Sequence, residues 1–200
     1  MAERRKLSGV GTGEYEEKRS RFLGRIVPVA DDAQARQIID GERKKYPDAR
    51  HHCWAWILPD GSYRWSDGGE PGGTAGAPML DILKSANVYG AVVVVTRYFG
   101  GTLLGSGGLV RAYSKAASLS LTDAGTEPDP EKETLMVTCR WDSLDRVHRL
   151  IREYSGTLLS SDYASDPEGP VMTAELLKEN TESFISRFTD ITGGKGKIQR

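Results

Sequence analysis

Two glycine-rich segments contain the side chains best suited to chemistry, and a fully apolar stretch separates them. The second segment consists of Gly105, Ser106, Gly107 and Gly108. Arg111 and Lys115 follow it at a spacing of four, which places both on one face of a helix. Because backbone N–H groups at a helix N-terminus attract anions, these residues form a candidate phosphate-contacting surface. The alternative is that the glycines only allow close packing and the two cations are solvated.

Basic and aromatic residues elsewhere could border the same surface. Arg97 and Tyr98 end the apolar stretch just before the second glycine segment. Lys18 and Arg21 belong to a basic run that leads into a strand-like sequence. We interpret them as a possible lip over an RNA- or anion-binding surface. The competing interpretation is that these residues are solvated at the start of a strand. We favour it because runs of charged residues are generally exposed.

The first glycine segment contains two carboxylates, Asp67 and Glu70. Paired carboxylates can perform acid–base chemistry, so a small-molecule hydrolase or transferase is one hypothesis. No histidine or lysine in the segment offers a partner for that chemistry. We therefore favour a structural role, in which Asp67, Glu70 and Thr74 accept or donate hydrogen bonds that shape the loop.

Metal and cofactor sites are not predicted. His51, His52 and Cys53 are adjacent, but successive strand residues point to opposite faces, and nothing supplies a convergent ligand set. No Gly-Lys-Ser/Thr ending marks a Walker A loop. A Gly-x-Gly-x-x-Gly fingerprint fails because Val110 stands at its last position.

The composition is that of an ordinary globular protein. The chain has 200 residues and a net charge of −1, with a basic excess up to residue 125 and an acidic excess after it. This balance falls short of a strongly basic nucleic-acid domain. No segment has the apolar length of a membrane span, and two cysteines without a CxxC spacing suit a reducing compartment. We therefore expect a cytoplasmic protein.

Sequence patterns predict the elements that position these residues. Residues 7–15 favour an edge strand or a partly loose segment, residues 22–29 a strand, and Asp31 or Asp32 caps a helix that Pro47 stops. A strand begins at His51, and residues 63–65 return as its hairpin partner. Pro78 lies in the first turn of a short helix, and the β-branched run from Val88 predicts a central strand.

A linker composition at residues 122–132 predicts two domains, 1–125 and 126–200. In the second, alternating strands and amphipathic helices follow the order βαββα, which is typical of a small ferredoxin-like domain. A turn is predicted at Pro167-Glu-Gly-Pro, and a short basic tail after Gly194. No motif in this domain indicates chemistry.

Several long motifs resemble the YigZ/IMPACT family. They are Thr96-Arg-Tyr-Phe-Gly-Gly, Leu104-Gly-Ser-Gly-Gly-Leu-Val-Arg-Ala-Tyr, Gly69-Glu-Pro-Gly-Gly-Thr-Ala-Gly-Ala-Pro and Lys18-Arg-Ser-Arg-Phe. The resemblance covers nearly the whole chain. It implies an α+β fold of two domains, in which a two-layer α/β N-terminal domain resembles domain IV of elongation factor G and the C-terminal domain is ferredoxin-like.

The resemblance also implies a role around translation, because eukaryotic relatives act in translational control through a ribosome-associated activator of a stress kinase. We therefore expect a non-enzymatic regulator that binds RNA or the ribosome through the N-terminal domain. A purely protein-binding regulator is a further alternative. No cofactor and no membrane partner are expected.

Overall fold

The structure is a computed structural model that describes residues 3–164 and 169–200. The chain forms two compact units, Met1–Asp129 and Pro130–Arg200. The predicted α+β class with two domains is confirmed. The turn predicted at Pro167-Glu-Gly-Pro lies partly outside the described residues. No helix of the described residues is long and apolar enough to cross a membrane.

A five-stranded antiparallel sheet forms the centre of the N-terminal domain. Its strands are β2 (Gly11–Glu17), β3 (Ser20–Pro28), β4 (His51–Ile57), β5 (Tyr63–Ser66) and β6 (Ala91–Tyr98), in the order β2-β3-β6-β4-β5. Three helices pack on it: α1 (Asp32–Lys45), α2 (Gly76–Ser85) and α3 (Gly105–Ala124). The predicted hairpin of β4 and β5 is confirmed, since Trp54 pairs with Ser66 and Ile57 with Tyr63.

Helices cover both faces of this sheet, so the domain has three layers where two were predicted. Val92 and Val94 of β6 pack with Ile39 of α1 on one face. Val93 and Val95 pack against α2 and α3 on the other. Each fully buried valine stabilises the fold by roughly 1.5–3 kcal/mol relative to an exposed one. The continuous apolar run indicated a strand either covered on both faces or deep in one core, and the structure shows the former. The pattern of α1 does not reveal which face that helix covers.

The start of α1 follows from local capping. The Asp31 side chain accepts a hydrogen bond of 2.8 Å from the backbone N–H of Gln34, which satisfies one of the free donors of the first turn. Ala35 and Ile39 then face the sheet. The prediction of an N-cap at Asp31 or Asp32 is confirmed at Asp31.

The hairpin of β2 and β3 brings the edge of the sheet under α3. Its turn consists of Lys18 and Arg19, whose φ angles of 48° and 65° are left-handed and close the strands over two residues. Gly11 has no room for a side chain, because a Cβ there would lie 2.2 Å from the carbonyl oxygen of Ser120. The glycines of β2 therefore permit close helix packing, and the segment is an ordered edge strand.

A second small sheet ties the two ends of the N-terminal domain together. Strand β1 (Arg5–Leu7) pairs antiparallel with β7 (Thr126–Pro128), and an ion pair of 3.0 Å joins Arg4 to Asp129. The structure therefore divides four residues later than the predicted boundary. Residues 122–124 complete α3, so much of the segment read as a linker is regular structure. Composition indicated a linker because it contains no information about a pairing partner more than 100 residues away.

The C-terminal domain has the order βαββαβ. Its elements are β8 (Lys132–Thr138), α4 (Leu144–Glu153), β9 (Thr157–Asp162), β10 (Val171–Leu177), α5 (Thr181–Thr192) and β11 (Lys197–Gln199). The antiparallel sheet has the order β11-β8-β10-β9, which is ferredoxin-like as predicted. Alternate residues of β8 and β10 pack with both helices in one core. The predicted basic tail contains an edge strand instead, β11, which pairs with β8. The strand was not predicted because three residues are too few to show strand periodicity.

Candidate functional site

Asp67 holds the first glycine-rich loop (residues 67–76) in shape. Its Oδ1 accepts hydrogen bonds from the backbone N–H groups of Ala75 and Gly76 at 3.0 and 2.8 Å, and Oδ2 accepts one from Gly73 at 2.8 Å. Two of these donors open α2, so a carboxylate from a distant position caps that helix. The Thr74 hydroxyl donates to the Pro71 carbonyl at 2.7 Å. Both oxygens of Asp67 are therefore engaged within the loop.

Glu70 lies at the centre of a buried polar cluster. Its Oε1 accepts hydrogen bonds of 2.7 Å from Nη1 of Arg97 and from the hydroxyl of Tyr113. The side chains of Glu70 and Arg97 are 3% and 6% exposed. The cluster joins the first loop, β6 and α3. Breaking such a pair leaves an uncompensated buried charge, which costs roughly 3–5 kcal/mol.

Arg97 has further contacts inside the domain. Its Nη2 donates to the Ser20 hydroxyl at 3.3 Å, and its guanidinium carbon lies 5.4 Å and 5.6 Å from the ring centroids of Phe22 and Phe99. Its Nε is buried and has no hydrogen-bond partner in the described residues. Arg97, predicted as a phosphate contact at the surface, is therefore buried and paired with Glu70. The strand-end position suggested exposure, and the partner 27 residues away was not visible in the pattern.

Tyr98 and Arg21 also have partners within the domain. The Tyr98 hydroxyl donates to Oδ1 of Asp48 at 2.8 Å, and this hydrogen bond raises the pKa of Tyr98. Arg21 lies opposite Tyr98 on β3 and pairs with Glu14 at 2.8 Å. Both lie on the sheet as predicted, and each already has a side-chain partner within the domain.

The start of α3 has the opposite character. No side chain caps it, and Gly105 has a φ of 71°, a left-handed conformation that favours glycine. Ser106 and Gly107 are exposed, whereas Gly108 is buried. Arg111 lies over this turn, since a Cβ on Gly107 would lie 3.6 Å from its Nη1. Within the described residues, the first N–H groups of α3 therefore have no side-chain cap.

Five exposed cations lie on α3 or on loops that approach the segment before it or share a pocket with its start, and we call them the basic surface. They are Lys18, Arg19, Arg50, Arg111 and Lys115. None has an ion pair with any residue in the described ranges 3–164 and 169–200. The structure brings Lys18 to the same region as the helix, because the backbone of Arg19 approaches Gly100 so closely that a Cβ there would lie 2.1 Å away.

Arg50 was not predicted from the sequence, and Arg19 was included only as part of the basic run that begins at Lys18. Arg19 belongs to the basic run of Lys18, and the two-residue turn places both at the hairpin tip. Arg50 directly precedes β4, and nothing in its neighbourhood marked it. The hairpin length was the signal that could have found Arg19.

A pocket of about 480 Å³ lies between the two glycine-rich loops. Gly69 and Glu70 contribute from the first loop, and Gly105 and Ser106 contribute the helix start. Its apolar wall is formed by Phe99, Leu103, Leu104, Leu109 and Pro71. Arg50, His51 and Arg97 complete the lining. The pocket therefore combines free helix donors, cationic groups and an apolar wall.

The residues considered for metal binding have other contacts. His51 Nδ1 lies 3.1 Å from the Gly68 carbonyl, and His52 Nδ1 lies 3.0 Å from the Thr96 hydroxyl. The Cys53 thiol donates to the Asp67 carbonyl at 2.9 Å, and burial raises the pKa of Cys53 to about 12. Within the described residues, no group of three or more His, Cys, Asp or Glu could hold a metal.

Comparison with known proteins identifies the family. Residues 18–121 match the model of the Impact N-terminal domain, and residues 137–195 match a domain of unknown function, DUF1949. The chain belongs to the IMPACT family. It is 38% identical to IMPACT family member YigZ of Escherichia coli over 183 residues, covering 90% of this chain and 88% of that protein.

More distant IMPACT relatives extend the comparison. Protein IMPACT of Homo sapiens is 32% identical over 94 residues, which cover 44% of this chain and 29% of that protein. A crystal structure described as that of a hypothetical protein superposes with a TM-score of 0.69 at 30% identity, covering 99% of this chain and 97% of that one. The fold is therefore shared with a solved chain of similar length.

Proposed function

We propose that this IMPACT family protein acts in translation by binding RNA, free or within the ribosome, through the basic surface. The observation that carries the proposal is the basic surface, whose five exposed cations have no ion pair within residues 3–164 and 169–200, together with the uncapped start of α3 beside Arg111. Phosphate is the anion that fits both features, because a helix N-terminus offers N–H donors and the cations release counterions on binding. The resemblance to a family with eukaryotic members in translational control supports the same process.

The geometry gives less support to the enzymatic alternative. A general acid or base needs a carboxylate that can reach a substrate, in a pocket that leaves it free to exchange a proton. Asp67 uses both oxygens on backbone N–H groups, and Glu70 is buried against Arg97 and Tyr113. We propose that both carboxylates, with Thr74, shape the first loop.

The test is a salt titration of binding to ribosomal RNA and to an unstructured RNA. Arg111→Ala combined with Lys115→Ala should lower the affinity about tenfold or more and reduce the salt slope by roughly two units, one for each lost phosphate contact. Folding should be unchanged, since both side chains are exposed.

The matched control is Arg36→Ala combined with Lys44→Ala. Both residues are exposed on α1, which covers the opposite face of the sheet, and the pair removes the same charge. This variant should bind like the wild type. If the wild type binds neither RNA at low salt, or if both double variants bind equally well, RNA binding by the basic surface is wrong. Co-purification with and without ribonuclease then identifies a protein partner.

A further inference from the structure

The pocket between the two glycine-rich loops is lined by polar groups and by apolar side chains, which limits the chemistry of the ligand it accepts. We propose that it binds a terminal nucleotide through its phosphate monoester, with the phosphate at the start of α3 and the base on Phe99. The proposal rests on the proposed RNA function and names the part of the RNA that this site would recognise. The volume of about 480 Å³ is within the usual range of small-ligand sites, roughly 300–1,000 Å³.

The polar part of the pocket lining includes the backbone at the start of α3. Gly105 and Ser106 line the pocket, and a Cβ on Gly105 would meet no atom within 4 Å, so the space in front of the helix start is open. No side chain of this helix accepts from its first N–H groups. The helix has 20 residues and begins with an open, uncapped turn. Its N-terminus therefore presents partial positive charge to that space.

A second observation, independent of the helix, indicates an anion in the same pocket. Arg97 lines it, is 5% exposed, and has a buried Nε without a hydrogen-bond partner in the described part of the chain. A buried donor left without an acceptor costs about 1–3 kcal/mol. Glu70 and Ser20 accept from the other two guanidinium nitrogens, so the missing acceptor belongs to the Nε position. An anion oxygen entering the pocket would supply it.

The apolar wall of the pocket includes an exposed aromatic ring. Phe99 is 49% exposed although the Arg97 guanidinium carbon lies 5.6 Å from its ring centroid. Leu103, which is 82% exposed, adds apolar surface on the same wall. Stacking of a base on an exposed aromatic ring contributes roughly 1–3 kcal/mol and tolerates any base. A planar base is therefore a better fit than an aliphatic chain for the face of Phe99.

The charge of the pocket favours a terminal phosphate over an internal one. A phosphate monoester carries a charge of roughly −1.5 to −2 at pH 7 and has three free acceptor oxygens. An internal diester or a carboxylate has a charge of only about −1. Arg50 and the start of α3 both line the pocket, while Arg97 is already neutralised by Glu70. The dianion uses these donors more completely.

Three RNA oligomers of one sequence test the preference: one with a 5′-phosphate, one with a 3′-phosphate and one with neither. Binding is measured by fluorescence anisotropy at a fixed salt concentration. At least one phosphorylated oligomer should bind about tenfold more tightly than the unphosphorylated one. A free nucleoside monophosphate, followed by calorimetry, should compete for the same site. Equal binding of the three oligomers overturns the proposal.

Ser106→Glu and Ser106→Gln locate the effect. The two side chains have similar size, and an acidic residue is favourable in the first turn of a helix, so folding should persist in both. Ser106→Glu should abolish the preference for the phosphorylated oligomer, while Ser106→Gln should retain most of it. Phe99→Ala should lower the affinity for the phosphorylated oligomer about fivefold or more. An unchanged preference in Ser106→Glu places the phosphate elsewhere and overturns the site.

These outcomes separate the pocket from the basic surface. If all oligomers bind equally and RNA binding still weakens with salt, the pocket proposal is wrong while the proposed RNA function is retained. Binding of the nucleoside monophosphate without any RNA binding rejects the RNA function and supports the pocket as a nucleotide site. If neither ligand binds, both proposals are wrong.

Discussion

The two glycine-rich loops of the N-terminal domain line the same pocket but use their polar groups in different ways. In the first loop, residues 67–76, backbone N–H groups donate to the Asp67 carboxylate, and Arg97 donates to Glu70. In the second glycine-rich segment, Gly105–Gly108, the helix start has no capping side chain, and Phe99 and Leu103 just before it are exposed. Glycine content alone therefore does not identify a binding loop. What differs is whether carboxylates of the chain already satisfy the donors.

Removal of Glu70 should have the largest effect on this comparison. Glu70→Ala leaves Arg97 buried without its counter-charge, so the free energy of unfolding should fall by roughly 3–5 kcal/mol. Urea unfolding measures it, and tryptophan fluorescence reports mainly on the N-terminal domain because Trp54, Trp56 and Trp65 lie there.

Two controls separate charge burial from general disruption. Glu14→Ala breaks the exposed pair with Arg21 and should cost less than about 1 kcal/mol. Glu70→Gln combined with Arg97→Met removes both charges while keeping an acceptor for Tyr113, and should be less destabilising than Glu70→Ala alone. If the double variant is the worse of the two, the burial argument fails.

Removal of Asp67 should have the second largest effect. Asp67→Ala leaves three backbone N–H groups of the first loop without their acceptor and should lower the free energy of unfolding by about 1–3 kcal/mol. Asp67→Asn keeps one acceptor oxygen and should lose less. A loss of activity or binding with unchanged stability in Asp67→Asn would contradict the structural role and revive the acid–base hypothesis.

A pair of glycine substitutions tests the second loop with smaller expected effects. Gly105 has a left-handed φ, so Gly105→Ala should destabilise the domain by about 1 kcal/mol. Gly107 lies within α3 and has space for a Cβ beside Arg111, so Gly107→Ala should stabilise it by about 0.4–1 kcal/mol. Thermal unfolding compares the two. The same sign for both changes would mean that the loop conformation differs from this one.

Cys53 should give the smallest signal. Burial raises the pKa of its thiol to about 12, so the folded protein holds it protonated while the unfolded chain ionises near pH 9. The stabilisation from this thiol is complete below about pH 9 and declines as the pH rises toward 12. An alkylating reagent at pH 8 should react with Cys53 only after denaturation. Fast reaction of the native protein at this position would show that the first loop opens.

The sequence predicted the central features of the fold because they depend on local pattern. The β-branched run fixed β6 as a buried strand, and Asp31 marked the start of α1. Strands β7 and β11 were not predicted, because each has three residues and depends on a distant partner. The same limit applies to the second layer of helices, whose position is set by tertiary packing.

The candidate site was only partly predictable, for a related reason. The glycine turn and Arg111 lie close in sequence, and their proximity follows from helical spacing. Arg97 was expected at the surface, whereas it pairs with Glu70 across 27 residues of chain. Charge type is visible in a sequence, but the pairing that neutralises a charge is visible only once the strands and loops are placed.

The pairing of β1 with β7 allows the N-terminal domain to be inserted into another protein as a unit. Both ends of the N-terminal domain leave it at one edge, since Leu7 lies opposite Thr126 and Arg5 opposite Pro128. A domain with adjacent ends can be inserted at a single point of another chain without stretching either connection. Recombination could therefore move this domain into a larger protein as one block, with its core and both glycine-rich loops intact.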